Sequence, residues 1–149
     1  MIINKLTIHN IASICDAEID FNSPPLSNAD VFLISGKTGA GKSTVLDCIC
    51  VALYNATPRL DNKSHRTENL DDGIKESDIR NLMRRNTSEA SVKLEFKGAN
   101  GIEYVAHWYV RRARKKTTGN LQNVVRELYS PASGLQWKAT NSKKKLSVP

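Results

Sequence analysis

Gly36-Lys37-Thr38-Gly39-Ala40-Gly41-Lys42-Ser43 fits the pattern G-x-x-x-x-G-K-[ST], a loop that closes its backbone on phosphate. The flanks agree with it. Val31-Phe32-Leu33-Ile34 precedes the loop and predicts a short buried strand. Thr44 to Tyr54 follows it without Pro or Gly, and Val45, Cys48, Ile49 and Ala52 recur at helical spacing. Gly36, Gly39 and Gly41 can take positive φ, so successive N–H groups can converge on an anion at a helix N-terminus. Gly36, Lys37, Thr38, Gly39, Ala40, Gly41, Lys42, Ser43 and Thr44 are therefore the expected nucleotide-binding residues. Lys42 is the catalytic candidate, reaching the β- and γ-phosphates, and Ser43 is the expected Mg²⁺ ligand. The loop alone separates neither ATP from GTP nor hydrolysis from phosphoryl transfer. No Asn/Thr-Lys-x-Asp run for guanine is present.

The chain of 149 residues, 40% hydrophobic, is long enough for one domain with a core. No apolar run reaches membrane-spanning length and the N-terminus is not a signal peptide, so a cytosolic protein is expected. Cys15, Cys48 and Cys50 have no metal-ligand spacing and read as buried free thiols. His9, His65 and His107 form no catalytic pattern. The net charge of +7 is unevenly placed. Residues 1–83 hold 8 Lys/Arg against 11 Asp/Glu, and residues 84–149 hold 14 against 4. The second half thus favours a polyanion, nucleic acid above all.

The fold class expected is α/β. A mixed sheet carries the P-loop helix, and an antiparallel lobe spans about residues 91–130. Ile2, Leu6 and Ile8 alternate with polar residues in a first strand, and Ala17, Ile19 and Phe21 do so in a second, with a turn at Asn10 to Ser13. Residues 59–75 read as an exposed loop, and Ser77 is placed to cap a short helix burying Ile79, Leu82 and Met83. Val92, Leu94 and Phe96 predict a strand, Gly98 to Gly101 a hairpin turn, and Ile102, Tyr104, Ala106, Trp108 and Val110 a long strand. Trp108 shares a face with core positions and reads as packing, not base stacking. Arg111, Arg112, Arg114, Lys115 and Lys116 form a basic tip, the candidate DNA contact, and Val124, Arg126 and Leu128 begin a return strand. Residues 141–149 are a polar tail. Asp47, on the P-loop helix, reads as a structural pairing residue.

The order of these parts resembles the N-terminal ATPase half of SbcC-type DNA repair ATPases, which are SMC-like and ABC-class. The resemblance rests on Thr38 to Asp47, on Ala52-Leu53-Tyr54 followed by Thr57-Pro58-Arg59-Leu60, and on Arg112-Ala113-Arg114 with Gly119-Asn120-Leu121-Gln122. It covers residues 1–140. It implies a P-loop NTPase head that binds ATP and Mg²⁺, clamps two heads together on double-stranded DNA, and works beside an SbcD-like nuclease. It implies a cytoplasmic, nucleoid-associated protein. It also implies that Asn10 through Ser13 lie near the base and sugar, with Ala12 where related proteins often carry a basic residue. The family's Q-loop glutamine, Asp-Glu pair and Leu-Ser-Gly-Gly signature have no match before Pro149. In the family these lie at the far side of a coiled coil, in a C-terminal ATPase half. The chain thus reads as a fragment, inactive alone as an ATPase. The competing readings are a non-catalytic nucleic-acid-binding module with a vestigial P-loop and a small P-loop kinase.

Overall fold

Alternation of apolar and polar residues over short stretches builds one sheet, and among the described residues one long helix packs on its apolar face. The computed structural model describes residues 1–29, 31–61, 73–132, 134 and 136–140. The strands are β1 (Ile2–Ile11), β2 (Ile14–Asp20), β3 (Glu89–Lys97), β4 (Glu103–Arg111), β5 (Val125–Tyr129) and β6 (Gln136–Thr140). Their order is β2-β1-β3-β4-β5-β6, and every neighbouring pair is antiparallel. The helices are α1 (Lys42–Tyr54) and the short α2 (Pro58–Asp61).

Register aligns the inner face. Leu6, Leu94, Ala106, Leu128 and Trp137 form one row across five strands, and Ile8, Val92 and Trp108 form the next. Onto these rows α1 buries Cys48, Val51 and Ala52. Trp108 is fully buried and donates its indole N–H to Asn55 Oδ1 at 2.8 Å, at the C-terminal cap of α1. The core role expected for Trp108 holds, and the hydrogen bond supplies the partner a buried indole needs.

Several expectations need correction. The sheet is antiparallel throughout rather than mixed, because Val31-Phe32-Leu33-Ile34 is not one of its strands. This run is exposed, Val31 and Leu33 each at 87%, and touches the fold mainly through a Phe21–Phe32 ring contact at 5.4 Å. A run apolar on both faces needs cover on both faces. Among the described residues that cover is partial, with Phe32 still 47% and Ile34 37% exposed. The helix expected from Ser77 is a 3₁₀ turn at Ile79–Leu82, and its cap is Asp78, which accepts from the Arg80 N–H. Ile79, Leu82 and Met83 do pack into the core, as expected. Ile102 lies in the hairpin turn, not in β4. The stretch 59–75 begins as α2, and 62–72 and the tail 141–149 lie outside the described residues. The strand β6 went unpredicted. Cys48 is buried and Cys50 half-buried, but Cys15 is exposed on β2. Burial, with a smaller contribution from Asp47, pushes the Cys48 thiol up to about 12, so it is inert.

Candidate functional site

The loop Gly36–Ser43 ends in α1, and its glycines do what the pattern requires. Gly39 and Gly41 sit at φ of 84° and 91°, where an L side chain is strained, and Gly41 is the N-cap of α1. A Cβ on Gly41 would stand 3.2 Å from Ile14 and 3.5 Å from Ser13 Oγ. The turn between β1 and β2 is therefore pressed against the helix N-terminus, and any side chain at Gly41 would crowd Ile14. Lys42 and Ser43 open the helix, with the Ser43 residue exposed. The Lys42 ammonium folds back and donates to the carbonyls of Gly36 at 2.6 Å and Lys37 at 2.8 Å. It thus lies across the mouth of its own loop.

These features fit a triphosphate. A loop of glycines curled at a helix N-terminus offers converging N–H groups, and a lysine within reach supplies the compensating charge. The exposed Ser43 hydroxyl is a group that could hold Mg²⁺. Thr44 is buried at the start of α1.

The turn Asn10–Ser13 is anchored from the far side. Asn10 and Ala12 take positive φ. The Ala12 N–H donates to Leu82 O at 2.8 Å, the Arg84 N–H to Asn10 O at 2.8 Å, and the Arg84 guanidinium to Ser13 O at 2.7 Å. The Asn10 amide donates to Glu89 O at 3.1 Å and to His9 Nε2 at 2.8 Å. Since Nε2 accepts, the ring proton sits on Nδ1, which donates to Asp16 Oδ1 at 2.6 Å. The Asn10 side chain thus fixes the turn, and Ser13 and Ile14 are the residues that reach the loop. Sequence reading missed Ile14 and Arg84, because their part depends on contacts across distant stretches.

Asp47 is a pairing residue, as its position on α1 suggested. Its buried carboxylate lies 2.6 Å from the Arg59 guanidinium of α2, misaligned for a hydrogen bond. This contact ties together two of the stretches on which the family resemblance rests.

The basic tip is folded, not extended. Beyond Arg111 the chain makes a 3₁₀ turn at Ala113–Lys115, with Arg114 and Lys115 at positive φ. A Cβ on Gly119 would lie 2.3 Å from Ala113 O, so the returning chain can pass only as glycine. Arg112 turns inward and donates to Thr87 O at 3.3 Å and Gly119 O at 3.1 Å. Lys115 pairs with Glu89 at 3.3 Å. Of the five cations of the expected basic tip, Arg112 holds the turn together. Arg111, Arg114, Lys115 and Lys116 are exposed.

The AAA domain model matches residues 5–147. The chain is 44% identical over 126 residues to the SbcC component of the SbcCD nuclease of Pseudomonas aeruginosa, a match covering 82% of this chain and 10% of that protein. It is 40% identical over 139 residues to the same component from Rhodobacter capsulatus, covering 90% and 11%. It is 31% identical over 104 residues to the DNA double-strand break repair Rad50 ATPase of Archaeoglobus fulgidus, covering 70% and 9%. The chain spans about a tenth of the length of these relatives. With a glycine-built phosphate loop at the head of α1 and a family match over nearly its whole length, the chain belongs to the AAA domain family and is similar to SbcC-type ATPases.

Proposed function

We propose that residues 1–140 are the ATP-binding N-terminal lobe of a DNA repair ATPase that is completed by a C-terminal half. The observation that carries this reading is the loop Gly36–Ser43, set at the N-terminus of α1 against the β1–β2 turn. Lys42 would exchange its two carbonyl bonds for phosphate oxygens, and Ser43 would hold Mg²⁺. Bound Mg²⁺ neutralises the charge on the β- and γ-phosphates. The exposed run Val31–Ile34 is an apolar surface suited to the C-terminal half. That half would supply the signature and acidic residues lacking here. The reading extends to coupling of ATP binding to DNA clamping by a homodimer of heads and to an SbcD-like nuclease; the nuclease named in the relatives supports the last of these, and the basic second half supports a DNA partner. A cytoplasmic, nucleoid-associated location goes with that role. No helix among the described residues is long and apolar enough to cross a membrane.

Calorimetry with ATP and Mg²⁺ tests the core of the reading. The chain should bind ATP, and Lys42→Ala should abolish binding. At a hundredfold excess over Kd the bound nucleotide should add about 2.7 kcal/mol of stability. Equal binding by both proteins would sink the assignment. No steady phosphate release is expected from the chain alone, because positioning of water and charge stabilisation are worth several orders of magnitude in rate. Duplex DNA binding should be insensitive to sequence. If Arg111, Arg114, Lys115 and Lys116 all meet phosphates, log K against log[salt] should slope by roughly −3.6.

A further inference from the structure

Two clefts meet at the corner held by Arg111 and Lys115. One, of about 390 Å³, lies under the basic turn and is also lined by Arg114 and Gln122. The other, of about 300 Å³, lies on the sheet face turned away from α1 and is also lined by His9, Glu89, His107 and Tyr109. We propose that the joined clefts receive one unpaired cytosine nucleotide of a single DNA strand, its phosphate against Arg111 and Arg114, its base on the His107–Tyr109 rings, and its exocyclic amine donating to Glu89. This deepens the DNA reading above and rests on it.

The rings offer a prepared platform. Their centroids lie 4.9 Å apart with planes 32° from parallel. Lys138, whose partner is Glu127 at 2.7 Å, stands near Tyr109 at the edge of this platform. Burial pushes the His107 pKa below its ordinary value against the pull of Glu127, so the ring is neutral near pH 7 and suited to stacking.

The charges suit a nucleotide and not a simple anion. Arg111, Arg114 and Lys115 stand at one end. Of the carboxylates nearby, Asp16 accepts from His9 and Glu127 is paired with Lys138. Glu89 is half-exposed and 3.3 Å from Lys115, longer than a close charge-assisted bond, so it keeps accepting capacity inside the cleft. A carboxylate accepts well from the amine of cytosine, whereas thymine presents a carbonyl oxygen at that edge. A cleft of about 300 Å³ is at the small end for ligand sites and favours a pyrimidine.

Fluorescence anisotropy with labelled oligo-deoxycytidylate, oligo-deoxythymidylate and a duplex tests this. The chain should bind the cytosine strand about tenfold more tightly than the thymine strand. Glu89→Ala should bring that ratio to about one, even if freeing Lys115 raises both affinities. Tyr109→Ala should weaken single-strand binding by roughly tenfold, while Tyr109→Phe keeps it. A purely structural role for Glu89 would leave the ratio unmoved. A ratio of one in the unaltered chain, or one unchanged by Glu89→Ala, overturns the proposal. Displacement of the strand by free deoxycytidine monophosphate at equal nucleotide concentration would overturn the assignment to a strand. Retained duplex binding with no base preference sinks this inference alone, and loss of duplex and single-strand binding together sinks the DNA reading.

Discussion

Gly41 carries two constraints at once. Its φ of 91° penalises any side chain, and a Cβ would crowd the Ile14 side chain at 3.2 Å. A left-handed conformation costs an L residue roughly 1–2 kcal/mol before any displacement of Ile14 is counted. Gly41→Ala should therefore lower stability by about 2 kcal/mol in urea and also remove ATP binding in calorimetry. Unchanged ATP binding would show that the turn and the loop are not coupled. The conformational demand on Gly41 was legible in the sequence, because the motif specifies a glycine there. Its second constraint was not, because Ile14 lies on another strand. The same holds for Arg112. In sequence it is one of five cations in six residues, and only the fold shows that its guanidinium stitches Thr87 to Gly119.

Among the elements, α1 and α2 are joined through Asp47 and Arg59. Removing one partner of a buried ion pair costs about 3–5 kcal/mol. Arg59 is half-exposed, so solvent screening reduces this, and Arg59→Ala should cost about 2 kcal/mol by urea denaturation. A loss below about half a kilocalorie per mole would mean that the pair is only a surface contact. Between β5 and β6 the sign of a pH effect can be worked out. The hydrogen bond from Lys138 holds the Glu127 carboxyl below its ordinary value of 4.5, against a smaller effect of burial. A depressed folded pKa gives stability that is present above the unfolded value and lost as pH falls through the folded one. Thermal stability should thus be flat from about pH 7 to about 5 and decline below about 4.5, by less than about 1 kcal/mol, because the partner Lys138 is half-exposed and solvent screens the pair. Glu127→Gln should flatten that decline in a melting series. The strands β1 to β5 were readable from alternation because each has one buried face. β6 escaped notice because a turn rich in small residues separates it from β5 and its alternation spans only Gln136 to Thr140.

At the scale of the whole molecule, Val31 to Ile34 is the point where sequence and structure part. Four apolar residues in a row read as a strand covered on both faces, and that reading assumes that the cover is present. Here the run is exposed. An apolar patch of this kind promotes association. The chain should therefore self-associate in a concentration-dependent way by sedimentation. Phe32→Ser with Leu33→Ser should reduce association while leaving the helical and sheet content unchanged. Association that persists in this variant would place the sticky surface elsewhere.

The strand order has a consequence for synthesis. β1 and β2 leave the ribosome first, yet the inner neighbour of β1 is β3, which begins about 80 residues later. At roughly 5–20 residues per second, this early hairpin waits on the order of 4 to 16 seconds for its partner. The loop and α1 are made during that interval, before the β3–β4 surface that α1 covers exists. Nascent chains halted between Tyr54 and Glu89 should therefore be digested readily by protease, whereas protection should appear once β4 has emerged. The phosphate loop is in this sense a detour between two adjacent strands, and it acquires its shape only when a later part of the message has been translated.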